Sequence, residues 1–159
     1  MRDVNVNDVI KEFNRYYLDA TLEEELAILG IGPHRTFKRE QFSELYKPLF
    51  LTLWVHALDK LHQDVSDTVR DAYLKGLKEC FRKQKGEYER MVGLVMEYEA
   101  MLADFSPTAF EFTATQIVNK ISRNKDAREQ QAQQLAVRMM ERLAAFEAML
   151  SDLSISPAS

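Results

Sequence analysis

Apolar residues recur at alternating steps of three and four between residues 66 and 105, a stretch that contains no proline. Such steps place side chains on one face of an α-helix, and here the pattern lasts for about nine turns. We therefore predict one very long helix over about residues 67–104. The positions on its apolar face, among which Gln84 is the one purely polar member, are Leu74, Leu77, Phe81, Gln84, Tyr88, Met91, Val95, Tyr98, Leu102 and Phe105.

The middle of this stretch is polar and contains a glycine. Gln84 lies on the apolar face, and Gly86 follows it within a run of charged residues. Glycine inside a helix costs about 1 kcal/mol relative to alanine. A straight helix over 67–104 would be about 57 Å long, whereas a compact domain of this size is roughly 40 Å across. We expect a solvent-exposed waist that is bent near Gly86 or spans a gap between the two ends of an elongated bundle.

Short signals predict two helices near the start of the chain. Asn7 is placed to cap the first helix, because its side chain can accept from a free backbone N–H. Thr21 and Glu24 have the spacing of a capping box, which predicts the start of the second helix. Gly30 supplies the left-handed residue that ends this second helix.

A third helix is predicted over about 37–62, and Pro48 either kinks or restarts it. On a helical wheel its polar residues after Pro48 fall in one strip, and apolar residues cover the remaining arc. A strand would place those polar residues on both faces, so a helix is the better interpretation. The wide apolar face predicts neighbours on several sides and a central place in the core.

Later signals predict how the remaining helices begin. Asp64 or Ser66 is expected to cap the long helix, and Ser106 followed by Pro107 is the favoured order for the start of the next one. The polar run 122–134 is interpreted either as a solvated helical link or as a break near Asn124, before a last helix.

Together these elements predict an all-α protein. We expect an elongated antiparallel bundle of five or six helices, because the connections are short and the apolar stripes are long. A single domain is expected over residues 1–154, followed by a frayed C-terminal tail over 155–159.

Composition narrows the class of protein. The 159 residues are 46% hydrophobic and 29% charged, and the net charge of −4 argues against nucleic-acid binding. The longest near-continuous apolar run, 49–58, is about half the length needed to cross a bilayer, so no membrane insertion is expected. With no apolar signal core at the start and a lone Cys80, expected to be buried and inert, the sequence predicts a cytoplasmic protein.

The methionines suggest our leading hypothesis, since all of them except Met1 lie after residue 90. Flexible thioethers suit a surface that repacks around varied partners, although they also fill gaps in ordinary cores. Apolar positions over 88–105 cover more of the helix than one neighbour would bury, so several helices or a second subunit must surround it. We hypothesise a non-enzymatic interaction or regulatory module, homodimeric, that binds a protein partner through the methionine-rich face of residues 88–105 and 135–153. This face contains Met91, Val95, Met96, Met101, Met139, Met140 and Met149.

A second hypothesis is a small-ligand protein that uses an apolar interior or an anion site in the loop Gly30–Arg35. His34, Arg35 and Lys38 lie beside the predicted start of the third helix, where free backbone N–H groups and the helix dipole favour anions. The spacing matches neither a phosphate-binding P-loop nor a dinucleotide fingerprint. Solvated side chains around a turn are therefore the alternative interpretation.

A third hypothesis is a metal-dependent enzyme with His56 and Asp59 as ligands, since residues three apart share a helix face. His62 lies about 120° further around the axis, so one ion would not readily take all three side chains. The chain contains no Glu-x-x-His motif and no catalytic motif that we identify. A narrow polar strip facing water explains these residues equally well, and the sequence predicts no cofactor.

Overall fold

The computed structural model describes residues 1–157, which form eight helices and two short strands. The helices are α1 (Val6–Asp19), α2 (Glu23–Ile28), α3 (Thr36–Tyr46), α4 (Pro48–Leu61), α5 (Ser66–Cys80), α6 (Glu87–Leu102), α7 (Pro107–Ile121) and α8 (Arg128–Ser151). The strands are β1 (Arg2–Asn5) and β2 (Leu153–Ser156). The prediction of a helical protein is thus confirmed apart from one small strand pair. No helix within 1–157 is long and apolar enough to span a membrane.

The prediction of one very long helix over 67–104 is wrong. α5 ends at Cys80 and α6 begins at Glu87, and the longest helix of the described residues is α8, with 24 residues. Between α5 and α6 the chain turns, and Gly86 takes a left-handed conformation with φ of 85°. Gln84 is exposed, so the expected waist with a bend near Gly86 is confirmed. The break also leaves Cys80 exposed, contrary to our expectation of a buried thiol.

α4 lies at the centre of the core, as its wide apolar face predicted. Ten of its 14 residues are buried, and it packs against α3, α5, α6 and α8. Pro48 is its first residue, a position where the missing N–H has no partner to lose, so proline restarts the helix instead of kinking it. Trp54 stacks on Phe13 of α1 with ring centroids 4.3 Å apart.

Three predicted helix caps are wrong because the first helical residue lies elsewhere. Asn5, not Asn7, caps α1 and forms a capping box with Asp8. α2 begins after Leu22 without a side-chain cap, so Thr21 and Glu24 form no capping box. α5 likewise has no side-chain cap, since the Ser66 hydroxyl donates to Asp59.

Other signals gave the right boundaries. Gly30 is left-handed with φ of 68° just after α2, and Ser106 accepts from the Ala109 N–H at the start of α7. The polar run 122–134 contains a break, since α7 ends at Ile121 and α8 begins at Arg128.

The expected frayed tail is wrong for its first residues. β2 pairs in parallel with β1, and Arg2 lies opposite Leu153 and Asn5 opposite Ser156. Leu153 is buried in the core, so one apolar side chain anchors the strand while its backbone pairs with β1. Positions 158 and 159 of the predicted tail lie outside the described residues.

A buried ion pair joins α2 to α8. The Arg142 guanidinium donates to the Glu25 carboxylate over 2.9 and 3.1 Å, to the Tyr16 hydroxyl over 2.9 Å and to the Thr21 carbonyl over 2.8 Å. It also lies 4.9 Å from the Phe50 ring centroid. Burial alone would lower the pKa of Arg142, but its hydrogen bonds to Glu25 and Tyr16 hold that pKa above the ordinary value. The ion pair therefore fixes the short helix α2 against the core.

Replacing Glu25 by glutamine is expected to destabilise the protein by about 3–5 kcal/mol, because Arg142 would stay buried without its counter-charge. Glu24→Gln is the matched control, since the Glu24 side chain is 70% exposed and pairs with Arg138 at the surface. This control should change the free energy of unfolding by about 1 kcal/mol or less. Urea unfolding monitored by circular dichroism measures both, and equal effects would contradict the assigned role of Glu25.

Two glycines should respond to alanine with opposite signs. Gly86→Ala forces a side chain into the left-handed region and should destabilise by about 1 kcal/mol. Gly93→Ala should stabilise by about 0.5–1 kcal/mol, because Gly93 lies inside α6 and an added Cβ meets no atom within 4 Å. Unfolding curves of the two variants under one buffer condition test this difference, and a loss of stability in Gly93→Ala would refute it.

Candidate functional site

The methionine-rich face is divided between the interior and the surface. Met91, Val95 and Met139 are buried, whereas Met96 is 63% exposed. The remaining members, which pack partly buried against the core, are Met101, Met140 and Met149. α6 packs against α4 and α7, so two helices of the same chain cover part of the apolar segment 88–105, and Met96 lies outside that cover. Protein-partner binding by this face stays a prediction, and Met96 is its most exposed member.

His56 and Asp59 have different neighbours. The His56 ring stacks on Phe105 with centroids 3.6 Å apart, and Asp59 accepts from the Ser66 hydroxyl. Phe105 is a non-glycine residue at φ of 54°, a strained conformation that this stacking helps to hold. Partial burial lowers the pKa of His56, and nearby Glu147 opposes this shift. No group of three potential metal-ligating side chains occurs in residues 1–157.

Positive charge collects where the start of α3 meets the loop between α7 and α8. Arg35 and Lys38 from the α3 side and Arg123 from the loop line two adjoining clefts of about 330 Å³ each. We call the cleft that also contains Gln131 the Gln131 cleft, and the one that contains Phe37 the Phe37 cleft. His34 lines the Phe37 cleft, so the structure brings together the three anion-site candidates of the sequence, His34, Arg35 and Lys38, and adds Arg123.

Three cations line the clefts, Arg35, Lys38 and Arg123, and none has an acidic partner within the described part of the chain. Neither cleft is lined by an aspartate or glutamate, and Arg35, Lys38 and Arg123 make no ion pair. Neighbouring Arg39, in contrast, pairs with Glu23. Partial loss of hydration, together with the charges of Arg123 and Arg35, lowers the pKa of Lys38. The clefts therefore have an unbalanced positive potential.

The backbone at the start of α3 adds to this potential. Arg35 is the N-cap residue, no side chain caps the helix, and its first turn contains no acidic residue. The first N–H groups of such a helix are free to bind an anion, and the helix dipole favours negative charge there. The Phe37 side chain, on the same turn, is 79% exposed.

Both walls of the site are fixed by local hydrogen bonds. Arg128 donates from Nε and a terminal nitrogen to the Ser122 carbonyl over 3.1 and 2.8 Å, which holds the loop that carries Arg123. On the opposite wall, left-handed Gly30 lets Ile31 donate back to the Leu26 carbonyl over 2.9 Å. The cationic side chains thus extend from two fixed backbone segments.

Sequence reasoning missed Arg123 and Gln131. Both fall in the polar run 122–134, which we interpreted only as a solvated helical link or a break, and both are far along the chain from Arg35. Gln131 is only 9% exposed although it belongs to that run, and its Oε1 has no hydrogen-bond partner in residues 1–157. Gln131 lies four residues before Leu135 and so continues the buried stripe of α8 by one turn, a signal that our interpretation of the polar run did not use.

Comparisons with protein-family models, curated proteins and solved structures found no match for this chain. Function is therefore inferred from the geometry and charge of the site. Three cations, free amide groups at a helix start and the lack of a lining carboxylate in the two clefts form an arrangement that can hold an oxyanion.

Replacing His56 by phenylalanine should reduce the loss of folding stability that accompanies a decrease in pH below 7. Partial burial holds the pKa of His56 in the folded protein below its ordinary value of 6.5. Near and below that pH the unfolded chain binds more protons than the folded chain, so stability falls as pH decreases. Phenylalanine can keep the ring stacking but does not titrate. Urea unfolding at pH 7 and pH 5.5 should show a smaller loss of stability for His56→Phe than for the wild type. An identical loss in both proteins would contradict this.

Proposed function

We propose that this protein is a helical binding module that holds an oxyanion of the phosphate class between Arg35, Lys38 and Arg123. The observation that carries the proposal is the convergence of three cations on clefts without a lining carboxylate. The chain as a whole has a net charge of −4, so positive charge is concentrated here against the overall balance. Repulsion among the three cations is relieved when an anion binds between them.

Phosphate suits the site better than a single carboxylate. Two guanidinium groups each offer paired N–H donors that match two oxygens of a phosphate, and a lysine ammonium adds a point charge. Three positive charges and a helix start balance a dianion more closely than a monoanion. The predicted anion site at His34, Arg35 and Lys38 is thereby extended by Arg123 in this proposal.

Anion binding here would also join two distant parts of the chain. α3 packs against α7, and the clefts lie where the start of α3 approaches the loop after α7. A ligand that binds only the folded protein stabilises it by RT ln(1 + [L]/Kd). A phosphate-class ligand should therefore raise the midpoint of thermal unfolding as its concentration increases.

Arg123→Gln should weaken the binding of inorganic phosphate by about tenfold or more, because a charge-assisted hydrogen bond contributes about 1.5–3 kcal/mol. The matched control is Lys125→Gln, which removes an equal charge from the same loop at an exposed residue outside both clefts. This control should weaken binding less than twofold. Isothermal titration calorimetry at low ionic strength measures both dissociation constants.

Two results would overturn the proposal. One is the absence of saturable phosphate binding to the wild-type protein, which would show that the clefts hold only solvated side chains. The other is an equal loss in Arg123→Gln and Lys125→Gln, which would show that net charge alone attracts the anion. Circular dichroism of both variants confirms that each is folded.

A further inference from the structure

The buried Gln131 side chain points to a ligand larger than phosphate. Its Oε1 is buried without a hydrogen-bond partner in the described residues, although Gln131 lines the cleft that the three cations share. An unsatisfied buried acceptor costs about 1–3 kcal/mol. The residue stands near the start of α8, and its backbone N–H bonds to the Ala127 carbonyl over 2.9 Å, so its position is fixed. The oxygen itself has almost no exposed surface, so a donor supplied by a ligand would satisfy it only after the amide group turns toward the cleft.

The size and walls of the Gln131 cleft limit that ligand. At about 330 Å³ it lies at the lower end of the range for small-molecule sites, which suits a body of monosaccharide size and excludes a dinucleotide. Leu29, Ile31 and Ile121 are nearly buried and form its apolar walls. The six polar residues that complete the lining with Gly30 are Arg35, Lys38, Ser122, Arg123, Asn124 and Gln131. Mostly polar walls favour a hydroxylated skeleton over an acyl chain.

We infer that the ligand is a phosphate monoester of a small hydroxylated carbon skeleton, such as a sugar or polyol phosphate, with a hydroxyl that donates to Gln131 Oε1. This inference rests on the proposed function, because the phosphate is the group held by Arg35, Lys38 and Arg123. Inorganic phosphate would satisfy the cations but leave Gln131 without a partner. A hydroxyl beside the phosphate satisfies both, and the hydrocarbon faces of the skeleton contact the apolar walls.

The test compares two ligands that differ only in their hydroxyl groups. Glycerol 3-phosphate and propyl phosphate have the same three-carbon skeleton and the same phosphate. Calorimetry with the wild-type protein should show at least tenfold tighter binding of glycerol 3-phosphate, because a site built to bond a hydroxyl rejects an analogue that lacks one. Ribose 5-phosphate should likewise bind at least tenfold more tightly than inorganic phosphate.

The variant Gln131→Leu should remove this preference while leaving the affinity for inorganic phosphate within twofold of the wild type. Leucine is similar in size, and it replaces an unsatisfied polar group, so the variant is expected to fold. Gln134→Leu is the control, because Gln134 is an exposed residue of the same helix and lies outside the cleft. It should keep the full preference. If Gln131→Leu fails to fold, the comparison of the two esters on the wild-type protein still decides the question.

The outcomes separate the two proposals. Equal affinity for propyl phosphate and glycerol 3-phosphate would overturn the role of Gln131 but leave the anion site standing. Failure of all four phosphate compounds and of vesicles containing phosphatidylinositol 4-phosphate to bind would overturn the proposed function itself. Vesicles with and without phosphatidylinositol 4-phosphate test whether the bound phosphate belongs to a lipid headgroup or to a soluble compound. Binding only to vesicles that contain this lipid would assign the site to a lipid headgroup and overturn a soluble ligand. Tight binding of ribose 5-phosphate would support the soluble ligand.

Discussion

The buried contact between Glu25 and Arg142 is the interaction on which the arrangement of the site depends. A charge pair in a dry interior is tolerated only when its hydrogen bonds are made, and here Tyr16 and Thr21 accept the donors that Glu25 does not. α2 has six residues and no side-chain cap, so it is too short to be stable as an isolated helix. Its place against α8 therefore depends on the ion pair together with the buried side chain of Leu26.

That contact also helps to set where the two walls of the proposed anion site meet. The connection that leaves α2 leads through Gly30 to Arg35, and the start of α8 carries Gln131 directly after the loop of Arg123. The helices joined by the ion pair thus continue into the opposite sides of one cleft. We therefore expect changes at that contact to affect both folding stability and the binding of the proposed anion.

The sequence predicted features that depend on a few neighbouring residues. Gly30, Pro48 and Ser106 act through backbone conformation or a hydrogen bond within one helical turn, so their effects are visible locally. The long apolar stripe predicted a helix correctly on either side of Gly86, but a left-handed glycine interrupts it. Arg35 and Lys38 were found because both adjoin a helix start, whereas Arg123 joins them only through the packing of α3 on α7.

Burial of polar residues was the part that the sequence analysis did not supply. Glu25 lies among three consecutive glutamates and resembles a solvated helix charge, yet it is fully buried, while Gln131 is buried within the most polar run of the chain. Glu25 is buried against a partner, Arg142, that lies more than one hundred positions away in the sequence. Gln131 is buried beside a cleft that forms only when the chain folds. The two differ in one respect: Arg142 satisfies Glu25 within the chain, whereas nothing in residues 1–157 satisfies Gln131. The fold therefore accounts for the burial of Glu25, whereas Gln131 is the residue for which we propose a donor from a bound ligand.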